Sequence, residues 1–146
     1  MIIVNVNIKF TTRYPYELIK EIYPIHKEYY HKPSMLKIKV GDNTVILFKS
    51  LKGRIMGKPN NIELKFPIEN QFVTNMTVVH NFNVYIDLEK TNFIYLPEIF
   101  AAGFKRFPEY CNLFHNGKLV ILGVKTVTRA EQLIKIIYDQ IHQFII

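Results

Sequence analysis

Apolar and polar side chains alternate along residues 2–10 (Ile-Ile-Val-Asn-Val-Asn-Ile-Lys-Phe), the signature of a half-buried strand. After Pro15 the period changes. Leu18, Ile19, Ile22, Ile25 and Tyr29 fall at helical spacing, which predicts a helix of about four turns over residues 15–30, kinked at Pro24. Residues 36–40 and 44–49 read as strands around the turn Gly41-Asp42-Asn43, and residues 52–57 continue the meander. Between residues 95 and 125 the strand pattern returns. Asn116-Gly117 stands between two apolar runs, and this predicts a hairpin closed by a type I′ turn. The chain closes on Ala130, Leu133, Ile134, Ile137, Ile141 and Phe144 at helical spacing, behind Thr128-Arg129-Ala130-Glu131 read as a capping box.

The two halves echo each other. Residues 44–52 resemble residues 113–118, Gly57 resembles Gly123, and Pro33 with Leu36 resembles Pro97 with Phe100. A degenerate duplication follows, with repeat one at 1–58, a linker at 59–70 and repeat two at 71–146. The 146 residues suffice for one compact domain with an adequate core. At 49% hydrophobic and 14% aromatic, the chain is too apolar for disorder. A net charge of +7 and a pI of about 9.4 suit an anionic partner. The single cysteine, Cys111, excludes a disulfide framework and a thiolate metal cluster. Met1-Ile2-Ile3-Val4-Asn5 lacks a basic n-region, so no signal peptide is expected. No run reaches the roughly 18 apolar residues of a membrane span. His26, His31, His80, His115 and His142 have no metal-binding spacing, and there is no phosphate-cradling glycine loop. We therefore expect no enzyme, no metal and no cofactor.

Tyr95, Pro97, Glu98, Phe100, Arg106, Phe114, Gly117, Lys118, Gly123 and Lys125 stand at the spacing of the second repeat of the TATA-box-binding protein family, which this stretch resembles. Asn75 in Thr74-Asn75-Met76-Thr77-Val78 and the pair Leu88-Glu89 extend the likeness upstream. The resemblance implies an α+β saddle: two degenerate repeats form one curved antiparallel sheet, with helices on its convex face. It also implies that parts are missing. The family's long helix before Asn75 has no room among Pro59-Asn60-Asn61 and residues 62–68, and the segment from Glu89 to Tyr95 allows a turn at most. Apolar sheet is then expected to lie bare on the convex side.

By the same resemblance, Phe100 and Phe114 are intercalating rings, with Phe48 and Leu36 at the corresponding places of repeat one. Asn75 and Thr77 face minor-groove acceptors, and Arg106, Lys118 and Lys52 hold phosphates. Lys105, Lys37 and Lys39 have no firm counterpart in the family. Leu122 and Met56 replace the threonines that precede the two glycines, which removes two polar base contacts. Leu96, Glu98 and Ile99 form the turn that receives transcription factor IIB in the family. The implied function is transcription initiation: binding and bending A·T-rich promoter DNA in the minor groove and recruiting a factor IIB-like protein or polymerase subunits. Homodimerisation would hide bare sheet. The alternatives are an interaction module that keeps the fold without kinking DNA, and a packaging role on DNA. The residue bias toward Ile, Asn, Lys, Tyr and Phe, with the missing parts, points to a viral or otherwise divergent origin. The expected location is the nucleus, or a viral factory or virion.

Overall fold

The computed structural model describes residues 1–58 and 62–146; residues 59–61, within the expected linker, lie outside the described residues. Its strands are β1 (Ile2–Thr11), β2 (Tyr29–Lys32), β3 (Met35–Val40), β4 (Asn43–Phe48), β5 (Lys52–Gly57), β6 (Glu69–Asn81), β7 (Ala102–Arg106), β8 (Tyr110–Phe114) and β9 (Lys118–Val124). Two helices, α1 (Tyr16–Ile22) and α2 (Val127–Ile141), accompany them. The strands hydrogen-bond in the order β2-β3-β4-β5-β1-β6-β9-β8-β7. The α+β class with a large antiparallel sheet and a C-terminal helix is as expected. The chain divides into two compact units, Asn5–Thr74 and Asn75–Ile146, the latter with Met1–Val4.

In the unit Asn5–Thr74, strand alternation buries Phe10, Leu36, Ile38, Val45, Leu47 and Ile55 on one face. Ile19 and Tyr16 of α1 seal that face. The helix is much shorter than its apolar spacing suggested. Pro24 disfavours the helical region for the residue before it, and Tyr23 turns to φ −115°, ψ 73°. Tyr29, expected on the helix, instead opens β2 and pairs with Ile38. The region expected to lie bare is covered without a helix. Phe66 is buried, and Ile62, Leu64 and Ile68 pack beside it. The Tyr23 hydroxyl accepts from Lys65 N at 2.9 Å and its ring meets Phe66 edge-on at 6.2 Å.

In the unit Asn75–Ile146, Cys111, Leu113, Leu119, Ile121 and Val78 are buried beneath Ala130, Leu133, Ile137 and Ile141 of α2. Leu88–Lys90 is one 3₁₀ turn, as the shortened segment required. Leu88 and Phe93 close on Gly103, where a Cβ would stand 3.0 Å from Phe93 Cβ. Here too the apolar face is covered. The helix cap lies two residues earlier than the sequence motif: Thr126 Oγ1 accepts from Arg129 N at 3.1 Å. The Arg129 side chain grips Glu109, donating from Nε at 2.9 Å and from a terminal nitrogen at 3.1 Å. The hydrogen bonds from Arg129 hold the Glu109 carboxyl below its usual range, against the opposing effect of burial.

The hairpin joins β8 and β9 as expected, but the turn differs. Gly117 N donates to Phe114 O at 3.0 Å and only Gly117 takes a positive φ, +88°. The connection has three residues and ends on a left-handed glycine. The other unit repeats it: Leu51 N donates to Phe48 O at 2.8 Å with Leu51 at φ +70°.

Gly117→Ala is expected to lose at least about 1–2 kcal/mol, because a Cβ is disfavoured in the left-handed region and would meet Val84 O at 2.5 Å. Urea unfolding measures it. The Glu109–Arg129 contact predicts a pH dependence as well. A depressed carboxylate stabilises fully above its unfolded pKa of about 4.3 and loses that stabilisation as pH falls through the lower folded value. Glu109→Gln is therefore expected to unfold more readily at pH 7 and to show a weaker loss of stability below about pH 4.3.

Candidate nucleic-acid interface

Antiparallel register sorts the residues of the unit Asn75–Ile146 onto two faces. Arg106 pairs with Tyr110, Phe104 with Asn112, and Ala102 with Phe114. Tyr110 pairs with Leu122 and Asn112 with Val120. These side chains except the buried Ala102, with Lys118 and Thr77, alternate with the buried set and so share the face away from α2. Phe100 joins them from a tight turn, in which Leu96 O accepts from both Ile99 N and Phe100 N. The Phe100 and Phe114 rings stand 6.3 Å apart at 64°, with Phe100 52% exposed. Lys118 Nζ lies 5.8 Å from the Phe114 centroid.

The structure therefore brings together Phe100, Phe114 and Lys118. Arg106 is farther along the same face, where a guanidinium nitrogen donates to the Tyr110 hydroxyl at 3.0 Å and the group lies 4.6 Å from that ring. Sequence reading missed Tyr110, although alternation within β8 opposite Cys111 and Leu113 places it there. Thr77 lies opposite Leu122, and Asn75 is half-buried in β6. Lys105 faces the other way: its ammonium donates to Gln140 Oε1 at 2.7 Å and sits over Phe93 and Phe107. Leu96, Glu98 and Ile99 are exposed on the turn before Phe100, Ile99 most of all.

The unit Asn5–Thr74 presents a different surface. Phe48 is 38% exposed at the end of β4, and Lys52 is exposed opposite Thr11. Leu36 does not belong with them. It is fully buried and pairs with Leu47 in the core, so it is no wedge; Met35, directly opposite Phe48, holds the outward place. Alternation in β3 sends Leu36 and Ile38 inward and Lys37 and Lys39 outward. Lys9, Lys32 and Arg54 share that outward face by register. Among the described residues, none of these cations forms an ion pair with a carboxylate.

No cluster of metal ligands occurs among the described residues. Burial pushes the Cys111 thiol up to about 12, which suppresses the thiolate a nucleophile needs. Burial also lowers the pKa of His80. No helix among the described residues is long and apolar enough to cross a membrane. Exposed rings beside unpaired cations can stack on flat apolar groups and attract phosphates.

Residues 71–144, just over half of the chain, match the family described as Transcription factor TFIID (or TATA-binding protein, TBP). The chain belongs to the TBP family. Asn75, Thr77, Phe100, Arg106, Phe114 and Lys118 all fall inside the matched region, whereas Phe48 and Lys52 precede it. Among solved structures the chain is similar to Methanococcus jannaschii TBP, with a TM-score of 0.78 and 20% identity over 94% of this chain and 95% of that one. The two share the TBP fold. The likeness is to an archaeal protein and lends no support to a viral origin. No curated protein matches the chain by sequence.

Proposed function

We propose that this chain binds duplex DNA in the minor groove at A·T-rich promoters, bends it, and takes part in transcription initiation. The observation that carries the reading is the pair Phe100 and Phe114, half-exposed rings in mutual contact beside Lys118. Minor-groove proteins insert such rings between base steps and kink the duplex toward the major groove. Leu122 on the same face is exposed and apolar, which suits contact with sugar edges better than base-specific hydrogen bonding. Selectivity then comes from the low cost of deforming flexible steps such as TA. The exposed Leu96, Glu98 and Ile99 are the docking point for a factor IIB-like protein or polymerase subunits. The site of action in this reading is the nucleus or another compartment where DNA is transcribed.

Phe100→Ala with Phe114→Ala is expected to abolish bending while leaving most non-specific affinity, measured by energy transfer between dyes at the two ends of an A·T-rich duplex. Equal bending by the double variant and the wild type would favour the interaction-module alternative. Lys118→Ala is expected to weaken binding to all duplexes alike and to flatten the dependence of log K on log salt by about one unit. A gel-shift titration over several salt concentrations reads it; an unchanged slope removes Lys118 from the phosphate contacts.

A further inference from the structure

A second aromatic pair lies wholly within the unit Asn5–Thr74. Phe48 and Phe72 line a cleft of about 460 Å³ together with Lys9, Lys52, Arg54 and Asn70. Phe72 is 57% exposed and stands outside the motif residues that carry the family likeness. Its place on the outward face follows from the start of β6. Asn70 takes φ +54° and donates from Nδ2 to Thr11 Oγ1 at 2.9 Å. The next residue, Gln71, lines a cleft on the opposite face with Ile8 and Ile55. Phe72 therefore turns toward Phe48.

The charges make the cleft a site for an anion. Lys9 and Arg54 are directly opposite each other across β1 and β5, a like-charge pair that destabilises an antiparallel sheet. Lys52 adds a third cation on the same wall, and among the described residues no carboxylate lines the cleft. An aromatic surface accompanied by unpaired cations matches the chemistry of a nucleotide in a single strand, where bases stack on rings and a basic groove follows the backbone.

We propose that the cleft between Phe48 and Phe72 receives an unpaired nucleobase of a single DNA strand, with flanking phosphates held by Lys9, Lys52 and Arg54. A recess takes in an extruded base; a kinking wedge has to protrude. The proposal rests on the nucleic-acid reading above but not on duplex kinking. In a transcription protein, such a site would retain a strand exposed when the duplex opens.

The chain contains no tryptophan, so Phe72→Trp places one indole at the proposed contact and nowhere else. Titration with a short oligothymidylate is expected to quench its emission saturably. Adding Phe48→Ala is expected to weaken that binding about tenfold. Replacing Lys52 and Arg54 by Ala is expected to lower the salt slope by about 1.4, the value for two single-strand phosphate contacts. Gel shifts of an A·T-rich duplex on the same Phe72→Trp protein separate the two readings. Quenching by the oligothymidylate without a duplex shift upholds the cleft and refutes duplex binding. A duplex shift without quenching by the single strand overturns the cleft and leaves duplex binding intact. Absence of both effects overturns both.

Discussion

The two-residue period of an antiparallel strand governs this molecule. Each strand surrenders every second side chain to a buried layer, and the remaining side chains have no core to join. Leu113, Leu119 and Ile121 lie inside, so Phe114, Lys118 and Val120 must lie outside. The same rule in the other unit buries Leu36 and Ile38 and turns out Lys37 and Lys39. Register converts this local rule into a surface, because paired strands align their outward residues into rows. Ring pairs and unpaired cations are then products of covering one face only. The covering itself uses what the chain has: α1 with residues 62–68 in one unit, α2 with Leu88 and Phe93 in the other.

The two units use the shared plan for different chemistry. On the outward face of Asn75–Ile146, aromatic surface is prominent: Phe100 and Phe114 touch, and Phe104 lies 5.3 Å from Tyr110. In Asn5–Thr74 ammonium and guanidinium groups predominate, and the exposed rings of Phe48 and Phe72 stand apart across a cleft. The outward faces of the two units thus differ in kind. Aromatic contact is short-ranged and sensitive to shape; cationic attraction reaches further and weakens with salt. The family match, residues 71–144, takes in most of the unit in which the rings are in contact and only residues 71–74 of the other.

Much of this was legible in the sequence wherever one local rule acted alone. Alternation over residues 2–10 located β1 to within a residue, continuation of the meander over residues 52–57 located β5, and helical spacing located α2. Motif spacing brought Phe100, Phe114 and Lys118 together correctly. Failures arose where two rules competed. Apolar spacing through residue 29 favoured a long helix, but Pro24 cannot continue one and its predecessor leaves the helical region. Asn-Gly favoured a two-residue turn, yet the strand register needed three. The capping-box motif pointed to Thr128, whereas Thr126 caps the helix. Leu36 was misplaced because an echo between the halves was aligned through Pro33, whereas pairing through Phe48 sets Met35 in the outward position. The coverage by Phe66 depends on contacts remote in sequence and left no local signal.

Leu51 has a consequence for how the molecule assembles. In one unit the left-handed turn beside an exposed ring is supplied by Gly117, which adopts it freely; in the other, Leu51 occupies it with its side chain against the core. A glycine turn can form early from local preference alone. A leucine enters that region only when something else compensates, here the contacts its side chain makes with the core. The turn beside Phe114 is thus favoured by local backbone preference, whereas the turn beside Phe48 depends on the packed layer beneath it. One ring is positioned by the chain's immediate neighbours, the other by the finished tertiary structure.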